Sequence, residues 1–394
     1  MKHIVVWGLV VPALLRRLLP RWFFESPMLI AARHPWLTLA AVAAVFAIGG
    51  LAVAASGVVA MRASTGHFPI TERFLHFSMR RSIVTNATPI QPPPLDDPRL
   101  VVRGAGHYDL GCRPCHGGAE GDTPRVPRHM EPPPRALRVH AADWRDRELY
   151  YIVRHGMKFT GMPAWPAQQR DDEMWAVVAF VRRLPELSRD EYARLTRGDP
   201  NEPFDLATDV VEPPRIVVES CGRCHGVDGN GRGGAFPRLA GQQAEYLDRA
   251  LRAYASGGRY SGIMGMVTAS LTSDARDAAV RHYASLRPTT AEETAGDRAR
   301  AARGQLIATR GVGDRVPACV ECHGPAATPK NRAYPRLAGQ YPDYLAQQLR
   351  LLQQRRRGGS EYVHVMHAFV DQLTGPQIGD VTSYFGSLSS SPAW

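Results

Sequence analysis

One short pattern, Cys-x-x-Cys-His, occurs three times in this chain of 394 residues and uses all 6 of its cysteines. The copies are CRPCH at 112–116, CGRCH at 221–225 and CVECH at 319–323. Because no cysteine lies outside these copies, none remains for a separate disulfide, a nucleophile or another metal site. Any fold of this chain must therefore give each cysteine pair and its histidine a site of their own.

Several uses of a cysteine pair can be compared with this arrangement. A thioredoxin-type redox pair needs one copy beside a βαβ pattern, which we do not find. A zinc site needs four ligands, usually from two such pairs close together. Covalent haem attachment requires two thiols for the vinyl groups and a histidine for the iron. The pattern therefore predicts three covalently bound haem c groups, each with two cysteines and one axial histidine: Cys112, Cys115 and His116; Cys221, Cys224 and His225; Cys319, Cys322 and His323.

Methionines are the predicted sixth ligands of the iron, since a methionine ligand raises the reduction potential and suits electron transfer. Met264 and Met366 each stand seven residues before the leucine of a Leu-Thr pair. Met266 has an alanine as its counterpart and is ranked lower. In the first copy we choose Met162 over Met157. The spacings from histidine to methionine are then 46, 39 and 43 residues.

Other histidines and packing alone are the alternatives for these positions. Any single methionine also serves in core packing. Three histidines near the methionines are rival ligands: His155, His364 and His367. An axial histidine usually donates its other N–H to a carbonyl. The carbonyls predicted to accept this hydrogen bond belong to Pro237, Pro335 and, in the first copy, Pro134.

An internal repeat defines the domain organisation. FPRLAGQQAEYLDRALR at 236–252 matches YPRLAGQYPDYLAQQLR at 334–350, and the second and third motif histidines share the same offset of 98 residues. We therefore expect two copies of one domain, at 200–290 and 291–394. Residues 98–190 have the same order of features and form a third domain.

The periodicity of apolar residues predicts a helix at the end of each of these domains. In the first, apolar residues recur at helical spacing from Met174 to Leu184. In the second, Thr272 or Ser273 is expected to cap a helix ending near Leu286, and in the third Thr374 caps a helix to about Leu388. With no long alternating strand pattern, the sequence predicts a mainly α fold.

The apolar run at 36–60 contains no charged residue and is long enough to cross a membrane. We interpret it as an uncleaved transmembrane anchor rather than a signal peptide, which has a shorter apolar core. Residues 1–35 carry five basic residues against one acid, which favours a cytoplasmic N-terminus. Met28 is an alternative start. Residues 61–97 are a juxtamembrane segment, with an amphipathic or plain connecting helix, followed by a proline-rich linker.

The net charge of +11 and a pI near 9.6 favour an acidic partner or an anionic membrane surface. Nucleic acid is not an expected partner, because no basic stretch interleaved with aromatic residues is present.

These residues resemble class I c-type cytochromes. The second and third motifs with their PRLAGQ segments look like the two domains of cytochrome c4-type dihaem proteins, and CRPCH with GMPAW looks like a monohaem cytochrome c domain. The resemblance implies His/Met ligation, maturation in the periplasm and electron carriage, with the haem domains outside a bacterial inner membrane. Pro213 and Pro214 depart from the pattern, since they shorten the helix before Cys221.

The leading hypothesis is a single-pass, membrane-anchored trihaem electron carrier of a respiratory chain. Its expected partners are a quinol-oxidising complex or a dehydrogenase as donor, and a terminal oxidase or soluble cytochrome as acceptor. The alternative is the trihaem subunit of a membrane dehydrogenase complex that oxidises alcohols or sugar acids. A haem peroxidase is disfavoured, because it needs an open iron or an unusual ligand. The protein is therefore expected to carry electrons rather than act as an enzyme.

Overall fold

The computed structural model describes residues 35–59, 61–198, 213–232, 234–287, 298–324 and 331–389. The chain divides into two compact units, Met1–Thr65 and Gly66–Trp394. Within the described ranges the regular structure is helical, with isolated β-bridges and no strand. This confirms the prediction of a mainly α fold. The predicted segment 1–35, apart from its last residue, lies outside the described residues, as do the predicted domain starts at 200 and 291.

The unit Met1–Thr65 contains helix α1 (Pro35–Ser56), which coincides with the apolar run. None of its residues is buried and its mean hydropathy is 2.4. Its 22 residues span about 33 Å, which matches the hydrocarbon core of a bilayer. By length and composition α1 is a candidate for a membrane span or a signal sequence.

The unit Gly66–Trp394 begins with helix α2 (Pro69–Ala87), where the sequence predicted a juxtamembrane helix. Ile83 and Ala87 at its C-terminal end are buried. Apolar side chains nearer its start are exposed: Phe68, Ile70, Phe74 and Phe77.

A first group of helices surrounds the first motif. Asp97 caps α3 by accepting a hydrogen bond from the Arg99 N–H. Helix α3 crosses α7 so closely that a Cβ on Gly104 would overlap the Ala176 carbonyl oxygen. The apolar residues predicted for α7, from Met174 to Leu184, are buried in the core of this group. Its helices are α3 (Pro98–Gly111), α4 (Arg113–His116), α5 (Leu137–His140), α6 (Asp146–His155), α7 (Asp171–Arg183) and α8 (Arg189–Arg197).

A second group of helices surrounds the second motif. The helical residues described before Cys221 start only after Pro214 and include a π-helical turn, Val217–Cys221, which confirms the predicted shortening. The side chain of Thr272 accepts the Ala275 N–H and caps α12, as predicted. The helices are α9 (Gly222–His225), α10 (Ala244–Ala255), α11 (Gly262–Ala269) and α12 (Ser273–Ser285).

A third group surrounds the third motif and repeats these features. Thr374 caps the last helix, as predicted, in a capping box with Gln377. The first and last helices of the group cross at Gly304, where a Cβ would overlap the Asp380 carbonyl oxygen. The helices are α13 (Arg298–Arg310), α14 (Val320–His323), α15 (Pro342–Gln353), α16 (Val363–Val370) and α17 (Gly375–Ser387).

Candidate haem-binding sites

Each Cys-x-x-Cys-His motif forms one tight helical turn, α4, α9 or α14. In the first, the N–H groups of Cys115 and His116 donate to the Cys112 carbonyl at 3.0 and 2.9 Å. The turn therefore brings both cysteines and the histidine of a motif close together. All six cysteines are half-buried and unpaired. Burial raises the pKa of the Cys112 thiol to about 12, so the free thiol is neutral.

The three motif histidines share one hydrogen bond. His225 Nδ1 lies 3.1 Å from the Pro237 carbonyl and His323 Nδ1 lies 2.9 Å from the Pro335 carbonyl, which confirms both predicted partners. The prediction for the first motif was wrong, because His116 Nδ1 meets the Arg135 carbonyl at 2.8 Å instead of that of Pro134.

The difference in the first motif has a local cause. The Pro134 carbonyl is already used by the Thr123 hydroxyl, at 3.0 Å. The EPPPRAL segment of the first copy also differs from the PRLAG segment of the other two. In all three motifs Nδ1 bonds a backbone carbonyl, which orients the ring for the predicted iron ligand, Nε2, on its other edge. Burial lowers the pKa of His116 and His225, which favours the neutral imidazole that a metal ligand needs.

One cavity is shared by the second and third motifs. Met264 on α11 and Met366 on α16 line it, whereas the first motif and Met162 do not. Met162 lies in the loop between α6 and α7, where its carbonyl accepts the Met157 N–H at 3.1 Å. The predicted site residues that line the cavity are Cys221, Cys224, His225, Met264, Cys319, Cys322, His323 and Met366. Ligation of iron by the three methionines stays a prediction.

The rival ligands lie in different surroundings. His155 and His364 are exposed, and His364 Nδ1 is 2.7 Å from the Glu361 carbonyl. His367 follows Met366 on α16 and is half-buried, but it is not among the residues that line the cavity. Met266 is 41% exposed and does not line it either.

Arginines outnumber carboxylates in the lining of the cavity, and Arg259 and Arg357 stand at matching positions of the two copies. Arg259 is 6% exposed, and its guanidinium donates to the hydroxyls of Tyr246 and Tyr344 at 3.2 and 3.3 Å. Burial, and then the charge of Arg259, lower the pKa of Arg357. Besides burial, the strongest influences on the pKa of Arg259 are tyrosines, whereas those on the pKa of Arg357 are Arg259 and then tyrosines. Buried cations of this kind need anions, and a haem brings two propionate carboxylates, so the cavity fits haem in charge as well as in its cysteines and histidines.

The two repeats meet through reciprocal hydrogen bonds. Gln242 donates to the Arg336 carbonyl at 3.0 Å and accepts the Arg336 N–H at 2.9 Å. Gln340 makes the same pair of bonds with Arg238, both at 3.0 Å. The sequence analysis did not single out these residues. The sequence did carry a signal, because each of these residues is identical in the two copies at an offset of 98 residues. Arg259 and Arg357 correspond in the same way.

Comparisons with known proteins agree with this geometry. Residues 100–181 match the family model "Cytochrome C oxidase, cbb3-type, subunit III", and residues 213–284 match the model "Cytochrome c". The first stretch contains the first motif and Met162, and the second contains the second motif and Met264.

The relatives are similar over nearly half of this chain. The thiosulfate dehydrogenase electron acceptor of Thiomonas intermedia (strain K12) is 32% identical over 182 residues, 46% of this chain and 82% of the relative. Cytochrome c4 of Azotobacter vinelandii is 31% identical over 182 residues, 43% of this chain and 84% of the relative. The chain belongs to the class I c-type cytochromes.

A solved structure is also similar to this cytochrome. Cytochrome c4 of Acidithiobacillus ferrooxidans is 32% identical and covers 43% of this chain and 98% of its own, with a TM-score of 0.38. Cytochrome c domains hold haem c covalently, and the cysteine pairs at 112/115, 221/224 and 319/322 fit that attachment.

Proposed function

We propose that this cytochrome is a membrane-anchored electron carrier with three haem c groups in a bacterial periplasmic respiratory chain. The observation that supports this best is the hydrogen bond shared by His116, His225 and His323, in each of which Nδ1 contacts a backbone carbonyl and so orients the imidazole. His323 of the third motif makes this hydrogen bond as well, although only the first and second motifs lie in the stretches that the family models match. Haem iron supplies one-electron chemistry between its ferric and ferrous states.

The residues around each predicted iron suit electron transfer rather than reaction with a substrate. The carbonyl bond fixes each imidazole and its tautomer. A predicted methionine on the other side, Met162, Met264 or Met366, closes the iron to outside ligands and raises its potential. The buried Arg259 and the half-buried Arg357 would further favour the ferrous state, because a positive charge in a poorly solvated place stabilises an added electron.

The domain arrangement belongs to the same proposal. It comprises cytochrome c domains at 98–190, 200–290 and 291–394, with the segment 61–97 joining them to an anchor at 36–60. Helix α1 supports the anchor by its length and lack of charge. Haem c is attached outside the cytoplasm, so the haem domains lie in the periplasm and residues 1–35 remain in the cytoplasm.

A dehydrogenase is the donor that the comparisons favour. The Thiomonas relative is named as the electron acceptor of a thiosulfate dehydrogenase. The second candidate function is accordingly a cytochrome subunit of a membrane-bound dehydrogenase complex, for alcohols, sugar acids or thiosulfate. A quinol-oxidising complex is the other donor, and an oxidase or a soluble cytochrome is the acceptor. The formal charge of +11 suits an acidic partner.

Electron delivery to the purified full chain in lipid nanodiscs tests the proposal. A quinol-oxidising complex and a thiosulfate dehydrogenase are supplied separately, and haem reduction is followed before a soluble cytochrome is added as oxidant. A carrier is reduced by at least one donor and is reoxidised completely by the cytochrome. Reduction by neither donor, or turnover of hydrogen peroxide with the reduced chain, would refute it.

A further inference from the structure

Helix α3 of the first group covers one side of the second motif. A Cβ on Gly106 would lie 2.8 Å from Phe236 Cζ and 3.2 Å from Cys224 Sγ, so only a glycine lets the helix come this near. The same helix ends at Gly111, directly before Cys112 of the first motif. One helix therefore leads into the first haem motif and closes the Cys224 side of the second.

A buried carboxylate holds the two groups together. Glu173 on α7 is 2% exposed, and it accepts hydrogen bonds from the Ser261 hydroxyl at 2.6 Å and the Gly262 N–H at 2.7 Å. Ser261 and Gly262 begin α11, the helix that carries Met264. Within its own group Glu173 pairs with Arg170 and accepts the Trp165 N–H at 3.1 Å, so separating the groups would remove two of its four partners. The contact is therefore a fixed interface rather than a passing encounter.

Arginines of both groups make ion pairs and hydrogen bonds across the border of this interface. Asp109 on α3, which is buried, forms an ion pair with Arg223, between the cysteines of the second motif. Three further guanidiniums donate to carbonyls of the other group: Arg103 to Ala235 at 3.2 Å, Arg170 to Tyr260 at 2.7 Å and Arg232 to Leu195 at 3.0 Å.

A row of rings crosses the interface. Trp165, three residues after Met162, stacks on His107 with centroids 6.0 Å apart. His107 lies 6.3 Å from Phe236, and Phe236 lies 6.1 Å from His225, the predicted iron ligand. Neither ring nitrogen of His107 has a hydrogen-bond partner, and burial lowers its pKa to about 3, so the ring is neutral. The rings thus form a continuous, uncharged contact from Trp165, near Met162, to His225 of the second motif.

We propose that the first group, which packs against the Cys224 side of the second motif, is a built-in redox partner of the second haem. This inference rests on the proposed function. One electron moves from the ferrous centre held by His116 to the ferric centre held by His225, so the first is oxidised and the second is reduced, without transfer of a proton. External donors and acceptors, which are reduced or oxidised proteins of the respiratory chain, react at the first or the third group.

The test follows electron movement within the full haem-loaded chain. A ruthenium photoreductant is attached to a Glu186→Cys variant, because the Glu186 side chain belongs to the first group and is 68% exposed. Freeze-quench EPR then resolves the ferric haems by their g-values after a light pulse. The interface variant is Gly106→Leu, which wedges α3 away from Phe236 and Cys224. The matched control is Gly375→Leu in the third group, where a Cβ meets nothing within 4 Å.

The expected rate of transfer from the first to the second haem is independent of protein concentration. In Gly106→Leu it falls severalfold, because electron transfer slows steeply as the two centres move apart, and it is unchanged in Gly375→Leu. If Gly106→Leu does not take up its full haem complement, the milder Gly106→Ala replaces it. Equal rates in all chains would overturn the inference and leave the proposed function standing. If no electron reaches the second haem even in the unmodified chain, the proposed function fails as well.

Discussion

Met264 and Met266 lie two residues apart on α11 and have different surroundings. Two helical residues are separated by about 200° around the axis, so the two side chains leave opposite sides of the helix. Met264 lines the cavity shared with His225, whereas Met266 is 41% exposed. Ligation by Met264, which the repeat suggested, stays a prediction.

Replacing each methionine by alanine distinguishes them. Met264→Ala should abolish the methionine–iron charge-transfer band of one haem and allow its reduced form to bind carbon monoxide, because the sixth position becomes open. Met266→Ala should leave the band and the carbon monoxide response unchanged. Loss of the band in Met266→Ala alone would show that the ligand was assigned to the wrong residue.

His107 makes stability depend on pH. Burial first, and then Arg103 and Arg170, lower its pKa to about 3 from 6.5, while Asp172 opposes this shift. The unfolded chain therefore binds more protons between these two values. Stability is complete above the upper value and falls as pH drops through the window, by at most about 1.4 kcal/mol per pH unit from this group.

A His107→Leu variant should lose this part of the pH dependence. Its free energy of unfolding, measured by denaturant titration at several pH values, should fall less steeply with acid than that of the unmodified chain. Replacing Gln305, an exposed residue that does not ionise, by leucine is the control and should not alter the slope. Parallel curves for His107→Leu and the unmodified chain would contradict the assignment.

The sequence identified the residues whose role is set by local spacing. Pro237 and Pro335 were predicted as carbonyl partners, because each lies 12 residues after its histidine in a repeated segment. Gly106, His107 and Glu173 were not predicted. Their roles arise only when the first group packs against the second, and no pattern within α3 or α7 specifies that contact.

At the scale of helices, the first and third groups each contain a close helix crossing at a glycine. Gly104 on α3 and Gly304 on α13 each face a backbone carbonyl of the last long helix, that of Ala176 or Asp380. The second group has only the short helical segment after Pro214 in the described residues before its motif. Periodicity predicted the closing helices, but it carries no signal for such close backbone contacts.

A Gly304→Ala substitution should separate α13 from α17. Since the added methyl overlaps a rigid backbone carbonyl, we expect the free energy of unfolding to fall by about 2 kcal/mol or more. The control is Gly375→Ala at the start of α17, where a Cβ meets nothing within 4 Å. Denaturation followed by the haem spectrum measures both. Equal stability of the two variants would mean that the crossing is looser than described.

At the scale of the whole molecule, Gln242 and Gln340 join the second and third groups symmetrically. Each makes two hydrogen bonds to the backbone of the other copy. The repeat predicted two equivalent domains, but neither periodicity nor spacing showed that their motifs open into one cavity. That arrangement depends on which faces of the copies meet.

Removing either glutamine should have nearly the same effect. We expect Gln242→Ala and Gln340→Ala each to cost about 1–3 kcal/mol, because backbone groups lose their partners. The double variant should lose less than the sum, since both act at one interface. The control is Gln305→Ala, at an exposed position of α13. A large loss for only one of the two would contradict the symmetry of the interface.

The most direct test of the account is a haem count together with optical and magnetic spectroscopy of the purified ferric full chain. We predict three haems per chain, all low-spin with the methionine charge-transfer band, and no binding of carbon monoxide after reduction. That result would identify the protein as an electron carrier. Two haems per chain, or one high-spin haem that binds carbon monoxide, would contradict it and make that iron a candidate active site.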